Sequence, residues 1–235
     1  MNLHYTYLLV NLLSVLFPFL LSFDKKVAFY KHWKYLFPAI IITGLFFVAW
    51  DILFTAKGIW SFNPEYVLGI TIYNLPLEEV LFFLCVPYSC VFIYEVLNAY
   101  VSRDVLGSCG KRISILISVL SLTTCILYYD KTYTLVNAGI CLVLVLFATF
   151  IYRFRNLGRF YLAFLISLIP FLICNGLLTG LPVVMYNDAE NMGIRLFRIP
   201  LEDVFYCLSL LLLSVLLMDF FKNRNEERIT NNQTN

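Results

Sequence analysis

The sequence predicts an all-α integral membrane bundle of about seven transmembrane helices, built as tandem parallel three-helix repeats joined by a linker helix. Three observations predict it. Of 235 residues, 61% are hydrophobic and only 14% charged, whereas a soluble domain is nearer half apolar and a quarter charged. The apolar residues fall in blocks long enough to cross a bilayer, which takes about 20 residues per helix. A stretch carrying rare polar residues also recurs 124 positions later.

Apolar windows place the spans at approximately residues 3–22, 36–56, 77–100, 113–129, 133–151, 159–178 and 201–221. The first lacks a basic leader and a small-residue cleavage site, so it reads as a retained helix rather than a secretion signal. The organisation that follows is a first three-helix repeat over 1–105, a linker span over 106–130, a second repeat over 131–222 and a polar tail over 223–235.

Net charge is +2, which gives no global basic field and no reason to expect nucleic acid. The distribution is more informative. Lys25, Lys26, Lys31 and Lys34 follow span 1, and Arg103, Lys111 and Arg112 follow span 3. Arg153, Arg155 and Arg159 follow span 5, and Lys222, Arg224 and Arg228 follow span 7. Thirteen of the 17 basic residues thus fall on one side of a seven-span chain. The positive-inside rule makes that side cytoplasmic, with the N-terminus outside, the C-terminus inside and the chain multi-pass in the cell membrane.

At a shift of 124, Thr55 meets Thr179, Asn63 meets Asn187, Gly69-Ile70 meets Gly193-Ile194, and Pro76-Leu77-Glu78-Glu79 meets Pro200-Leu201-Glu202-Asp203. Asp51 meets Asn175, Tyr73 meets Phe197, Phe82 meets Tyr206, and Glu95 meets Asp219. Leucine matches leucine at many shifts, but polar residues inside apolar sequence do not. The shift carries spans 1, 2 and 3 onto 5, 6 and 7. Corresponding spans are four apart, so they point the same way, and the repeat is parallel about an axis along the membrane normal. Both Pro-Leu-Glu-acid segments then begin helices at the outer surface, where the axis can bring them together.

Each segment offers a proline suited to a helix start and two adjacent carboxyls. Stabilising a helix dipole needs one charge; two neighbouring ones repel. A carboxyl kept from water beside a like-charged neighbour can stay protonated and serve as an acid, while its partner accepts a proton. Acids inside a membrane span are expensive, which marks Glu78, Glu79, Glu202, Asp203 and Asp51 as catalytic candidates. Thr55 and Thr179, one turn beyond Asp51 and Asn175, read as supporting hydrogen bonders. Glu95 and Asp219 lie about 25 Å further along their helices and read as interface residues paired with nearby Lys or Arg. The expected substrate-binding set is Trp50, Trp60, Asn63, Tyr73, Phe82, Asn175, Asn187, Phe197 and Tyr206. Their aromatic faces suit a cation, a contact worth about 2 kcal/mol or more when desolvated. The long loops after spans 2 and 6 read as an ordered cover over the cavity mouth.

His4 and His32 are far from both segments and read as interfacial. The seven cysteines form no CxxC pair, so no disulfide framework or zinc site is expected. HExxH, GxGxxG and P-loop patterns are missing, so no metal and no nucleotide or flavin cofactor is expected.

The run Asn74-Leu75-Pro76-Leu77-Glu78-Glu79-Val80-Leu81-Phe82-Phe83, its sequel Val86 to Glu95, and the second Pro200-Leu201-Glu202-Asp203 resemble the non-flavin lycopene cyclase family. In that family the two halves occur as separate subunits or as one fused chain, and this sequence looks like the fused bacterial form over residues 3–222. The resemblance implies redox-neutral closure of the acyclic ends of lycopene to β-ionone rings, giving γ-carotene and β-carotene. It implies a carotenoid taken from the bilayer and contact with lipid, and leaves homo-oligomerisation open. Carried over residue by residue, the acidic motifs are Glu78, Glu79, Glu202 and Asp203. On this reading Glu78 and Glu202 are the acids, with Glu79 and Asp203 as bases or orienters. Asp203 stands where the family has a second Glu, so the halves are unequal. Two other functions compete: a membrane terpene cyclase acting on another polyene, and an ion-coupled transporter. A diphosphate-using prenyltransferase would need magnesium-binding Asp clusters, and no DDxxD run occurs.

Overall fold

The structure is a computed structural model that describes residues 3–233; the extreme ends of the first repeat and of the polar tail, 1–2 and 234–235, lie outside the described residues. Seven helices in it are long and apolar enough to cross a membrane. They are α1 (Thr6–Leu21), α2 (Trp33–Ala56), α3 (Leu77–Tyr100), α4 (Gly110–Leu127), α5 (Thr132–Leu146), α6 (Leu157–Gly180) and α7 (Glu202–Gln233). A π-helical turn, Phe147–Ile151, continues α5.

The burial pattern explains the arrangement. α3 and α7 bury residues all round, including Phe83, Val91, Leu210, Leu211 and Val215, so they form the centre. α1 packs on α3 and α5 packs on α7. α2 and α6 each touch both central helices, and α4 lies outside on α5 and α6. Leu13 and Phe17 on α1, Leu116 on α4 and Ile169 on α6 are exposed. A helix surface of that composition suits lipid, since nothing in a hydrocarbon solvent drives apolar side chains inward.

Two joints hold the end opposite the acidic segments. Glu95 Oε1 accepts from Lys222 Nζ at 2.7 Å, with His32 at 3.9 Å, and Tyr152 Oη donates to Asp219 Oδ2 at 2.7 Å. Nearby, the turn that precedes α4 approaches α6 so closely that a Cβ on Gly158 would meet the Gly107 nitrogen at 2.4 Å.

At the other end, six short strands shape the connections. β1 (Trp60–Phe62) pairs antiparallel with β4 (Val184–Tyr186). Ser61 faces Met185, its counterpart 124 residues on. β2 (Thr71–Ile72) and β3 (Leu75–Pro76) form a hairpin leading into α3; β5 (Arg195–Leu196) and β6 (Ile199–Pro200) form its counterpart leading into α7. The local geometry recurs in detail. The Leu77 N–H donates to Ile70 O and the Leu201 N–H to Ile194 O. Gly69 and Gly193 have φ of 80° and 72°, and the hairpin-tip residues Tyr73 and Phe197 have φ of 56° and 58°.

Candidate active site

Each hairpin ends where its acidic helix begins, so the two carboxyls of a segment leave the first turn in different directions. Consecutive helical residues point about 100° apart. Glu78 and Glu202, both fully buried, turn outward to the connecting loops. Glu78 Oε1 accepts the Leu68 N–H at 2.7 Å, and Glu202 Oε1 accepts the Met192 N–H at 2.6 Å and the Thr134 hydroxyl at 2.5 Å. Their second oxygens find no hydrogen-bond partner among the described residues.

Glu79 and Asp203 turn inward. Both line one cavity of about 40 Å³ beneath the β1–β4 pair, together with Asp51 and Asn175. The remaining walls are Tyr7, Trp60, Phe62, Phe82, Tyr133, Phe171, Leu178, Val184, Tyr186 and Tyr206. Aromatic rings pack on one another around it. Trp60 meets Tyr133 edge-on at 5.4 Å, and Tyr133 lies 5.7 Å from Tyr186.

The two acidic clusters differ. In the first, Tyr7 Oη donates to Glu79 Oε2 at 2.5 Å, Tyr206 Oη reaches Asp51 Oδ1 at 3.3 Å, and both carboxyls face the same cavity. In the second, Asn175 replaces the extra acid. Asp203 accepts from Tyr133 Oη, from Asn175 Nδ2 at 2.5 Å and from Tyr186 Oη at 2.9 Å. Tyr186 belongs to β4, outside the spans. Burial holds its hydroxyl well above the ordinary tyrosine range, and the charge of the adjacent Asp203 adds to the effect.

Of the residues singled out in the sequence, Asp51, Glu79, Asp203, Asn175, Trp60, Phe82 and Tyr206 therefore meet at the cavity. Trp50 lies behind its wall, 5.3 Å from the Tyr206 ring. Asn63 and Asn187 order the loops instead: each side-chain oxygen accepts the backbone N–H two residues on, at 3.0 Å. Tyr73 and Phe197 stand away from the site, 86% and 93% exposed at the hairpin tips. Thr55 accepts from Trp60 Nε1 at 2.9 Å and so fixes that ring, while Thr179 donates back to Asn175 O and Gly176 O of its own helix. The sequence reading missed Tyr7 and Tyr133. A signal for them exists: Thr6-Tyr7 and Leu9-Val10-Asn11 match Thr132-Tyr133 and Leu135-Val136-Asn137, but at a shift of 126 rather than 124.

Among known proteins, the chain is similar to the "Bifunctional lycopene cyclase/phytoene synthase" of Aspergillus oryzae, 27% identical over 42% of this chain and 16% of that one. The protein of the same description from Leptosphaeria maculans is 32% identical over 41% of this chain and 16% of its own length. That from Colletotrichum graminicola is 36% identical over 25% and 11%. The aligned region thus spans about a sixth or less of these relatives. No solved structure matches the chain. The sequence pattern described as lycopene cyclase covers residues 4–97 and 130–221, both acidic segments included, and the chain belongs to the lycopene cyclase family.

Proposed function

We propose that the protein is a lycopene cyclase, closing the acyclic ends of lycopene into β-ionone rings by proton addition and proton loss. The observation that carries this reading is the single aromatic-walled cavity in which the buried carboxyls of Asp51, Glu79 and Asp203 meet beneath the β1–β4 pair. Cyclisation of a polyene begins with a proton on the terminal double bond, proceeds through tertiary cations and ends with loss of a ring proton. Each requirement has a counterpart in the cavity. Carboxyls supply and accept protons within reach of the same space. The faces of Trp60, Phe82, Phe171 and Tyr206 suit a passing cation. Exclusion of water keeps the cation from capture as an alcohol.

In this reading Glu79, Asp51 and Asp203 act on the substrate, and Glu78 and Glu202 position them by holding the loops. The reaction changes no oxidation state, so the proposal includes no redox cofactor and no metal. The substrate is a carotenoid that reaches the cavity from the bilayer, with lipid around the exposed helix faces. The cavity is narrower than a polyene end, so its walls part on binding. The basic residues after spans 1, 3, 5 and 7 support, by the positive-inside rule, a cytoplasmic C-terminus, an N-terminus outside and a cavity near the outer surface.

Expression in a lycopene-accumulating bacterium, followed by pigment chromatography, tests the proposal. Monocyclic and bicyclic products are expected. Unchanged lycopene in membranes that contain the protein would overturn the reading. A shifted product spectrum from another polyene would identify a different terpene substrate.

A further inference from the structure

We propose that the two halves build one centre with divided duties, the Asp51–Glu79 pair giving the proton and Asp203 removing one, so that both ends of a polyene are closed in turn at the same place. The proposal rests on the cyclase reading above and concerns how that activity is organised. A duplicated chain with two acidic segments invites the opposite expectation of two centres, one for each end.

The hydrogen bonding separates the roles. Asp51 and Glu79 are buried carboxyls lining one cavity, each with a single tyrosine donor, and two neighbouring carboxyls kept from water do not both stay charged. That pair therefore holds a proton. Its surroundings include Tyr7 and Tyr206 as further donors, which can satisfy the charge left behind once that proton is given away. Asp203 has no such acid partner. Asn175 occupies the position that corresponds to Asp51, and every bonded neighbour of Asp203, namely Tyr133, Asn175 and Tyr186, donates to it. That set of bonds is complete with Asp203 as an anion. All three carboxyls face one cavity of about 40 Å³, so the donor and the acceptor serve the same polyene end.

The step balances. The pair's proton adds to the less substituted carbon of the terminal double bond and leaves a cation on the tertiary carbon. The electron pair of the next double bond closes the ring and moves the cation to a ring carbon. The adjacent carbon loses its hydrogen as a proton to Asp203, and the electrons of that bond form the ring double bond. One proton enters and one leaves. Asp203 returns its proton to the pair before the next turnover, and no electrons are exchanged with the protein. After the first ring, the chain withdraws and presents its other end, so the monocyclic product passes through the bilayer.

The test uses membranes containing the full chain, supplied with lycopene in liposomes, with products read by chromatography and mass spectrometry. Glu79→Gln and Asp203→Asn should each slow the first and the second ring closure alike, by at least about 100-fold. Placing both variants in one membrane should restore neither closure. Residual rings from Glu79→Gln should keep the wild-type double-bond position, whereas those from Asp203→Asn should shift toward isomers formed by loss of a different proton. A folding defect would not produce that split. Unlabelled monocyclic carotenoid added with labelled lycopene should dilute the label in the bicyclic product. Accumulation of monocyclic carotenoid by one variant, bicyclic product from the mixed variants, or undiluted label would overturn the proposal. Failure of the unaltered protein to cyclise any polyene would instead remove the cyclase reading itself.

Discussion

The Tyr206 hydroxyl on α7 reaches the Asp51 carboxyl on α2 at 3.3 Å, joining the second acidic helix to the acid of the first half. Tyr206 corresponds to Phe82 of the first half, which has no hydroxyl to offer, so this bond has no twin across the repeat. Replacing Tyr206 with Phe keeps the ring against Phe47 and Trp50 and removes only the bond. A hydrogen bond of this kind is worth about 0.5–1.5 kcal/mol. Ring closure should slow by a factor of roughly 2 to 10, with ring type unchanged. Initial rates in membranes measure it, and an unchanged rate would separate Tyr206 from the proton donor.

Asp51 and Asn175 make a sharper contrast. Asp51→Asn removes one of the two carboxyls assigned to give the proton and should lower cyclisation by about 100-fold or more. Asn175→Asp replaces a donor to Asp203 with an acid, so it should also impair turnover although it makes the halves more alike. Full activity in the Asn175→Asp protein would show that the asymmetry is idle.

Glu78 separates loop holding from chemistry. Glu78→Gln keeps an oxygen for the Leu68 N–H. Glu78→Ala leaves that N–H without its acceptor, at a cost of about 1–3 kcal/mol. Thermal unfolding in detergent should therefore show a clear loss for Ala and a smaller one for Gln, and Gln should keep most of the activity. Equal loss of cyclisation in the Gln and Ala proteins, with unfolding unaffected, would assign Glu78 a direct chemical part.

Gly158 addresses the opposite end. A methyl there would press on backbone atoms of Leu106 and Gly107, which cannot rotate away. Gly158→Ala should destabilise the protein by about 1–3 kcal/mol through overpacking, while the ring products stay the same. Unchanged unfolding would mean that the turn before α4 can move freely away from α6.

The spans were legible because nothing but a bilayer rewards so many consecutive apolar residues, and the structure starts α3 at Leu77 and α7 at Glu202, close to where the sequence reading begins them. Part of the site was legible for a related reason: Asp51, Asn175, Glu79 and Asp203 are rare polar residues in apolar sequence, repeated at one spacing. Which acid of each pair faces inward was not. Adjacent positions differ by a rotation that depends on how α3 and α7 pack, and no local pattern encodes it. Tyr7 and Tyr133 escaped because two residues separate the repeat register of the first helices from that of the rest. Tyr73 and Phe197 drew attention as repeated aromatics, yet hairpin tips with positive φ carry them away from the cavity. Composition does not reveal which way a hairpin points.

Ser61 opposite Met185 means that a strand meets its own equivalent, which is the contact of a self-complementary dimer. A half-length chain bearing β1 alone would leave that edge open and could close it against a second copy of itself. Joining two copies in one polypeptide preserves the contact while releasing each from having to suit both sides. Position 51 and its equivalent 175 carry different residues, Asp and Asn, something an assembly of identical subunits forbids.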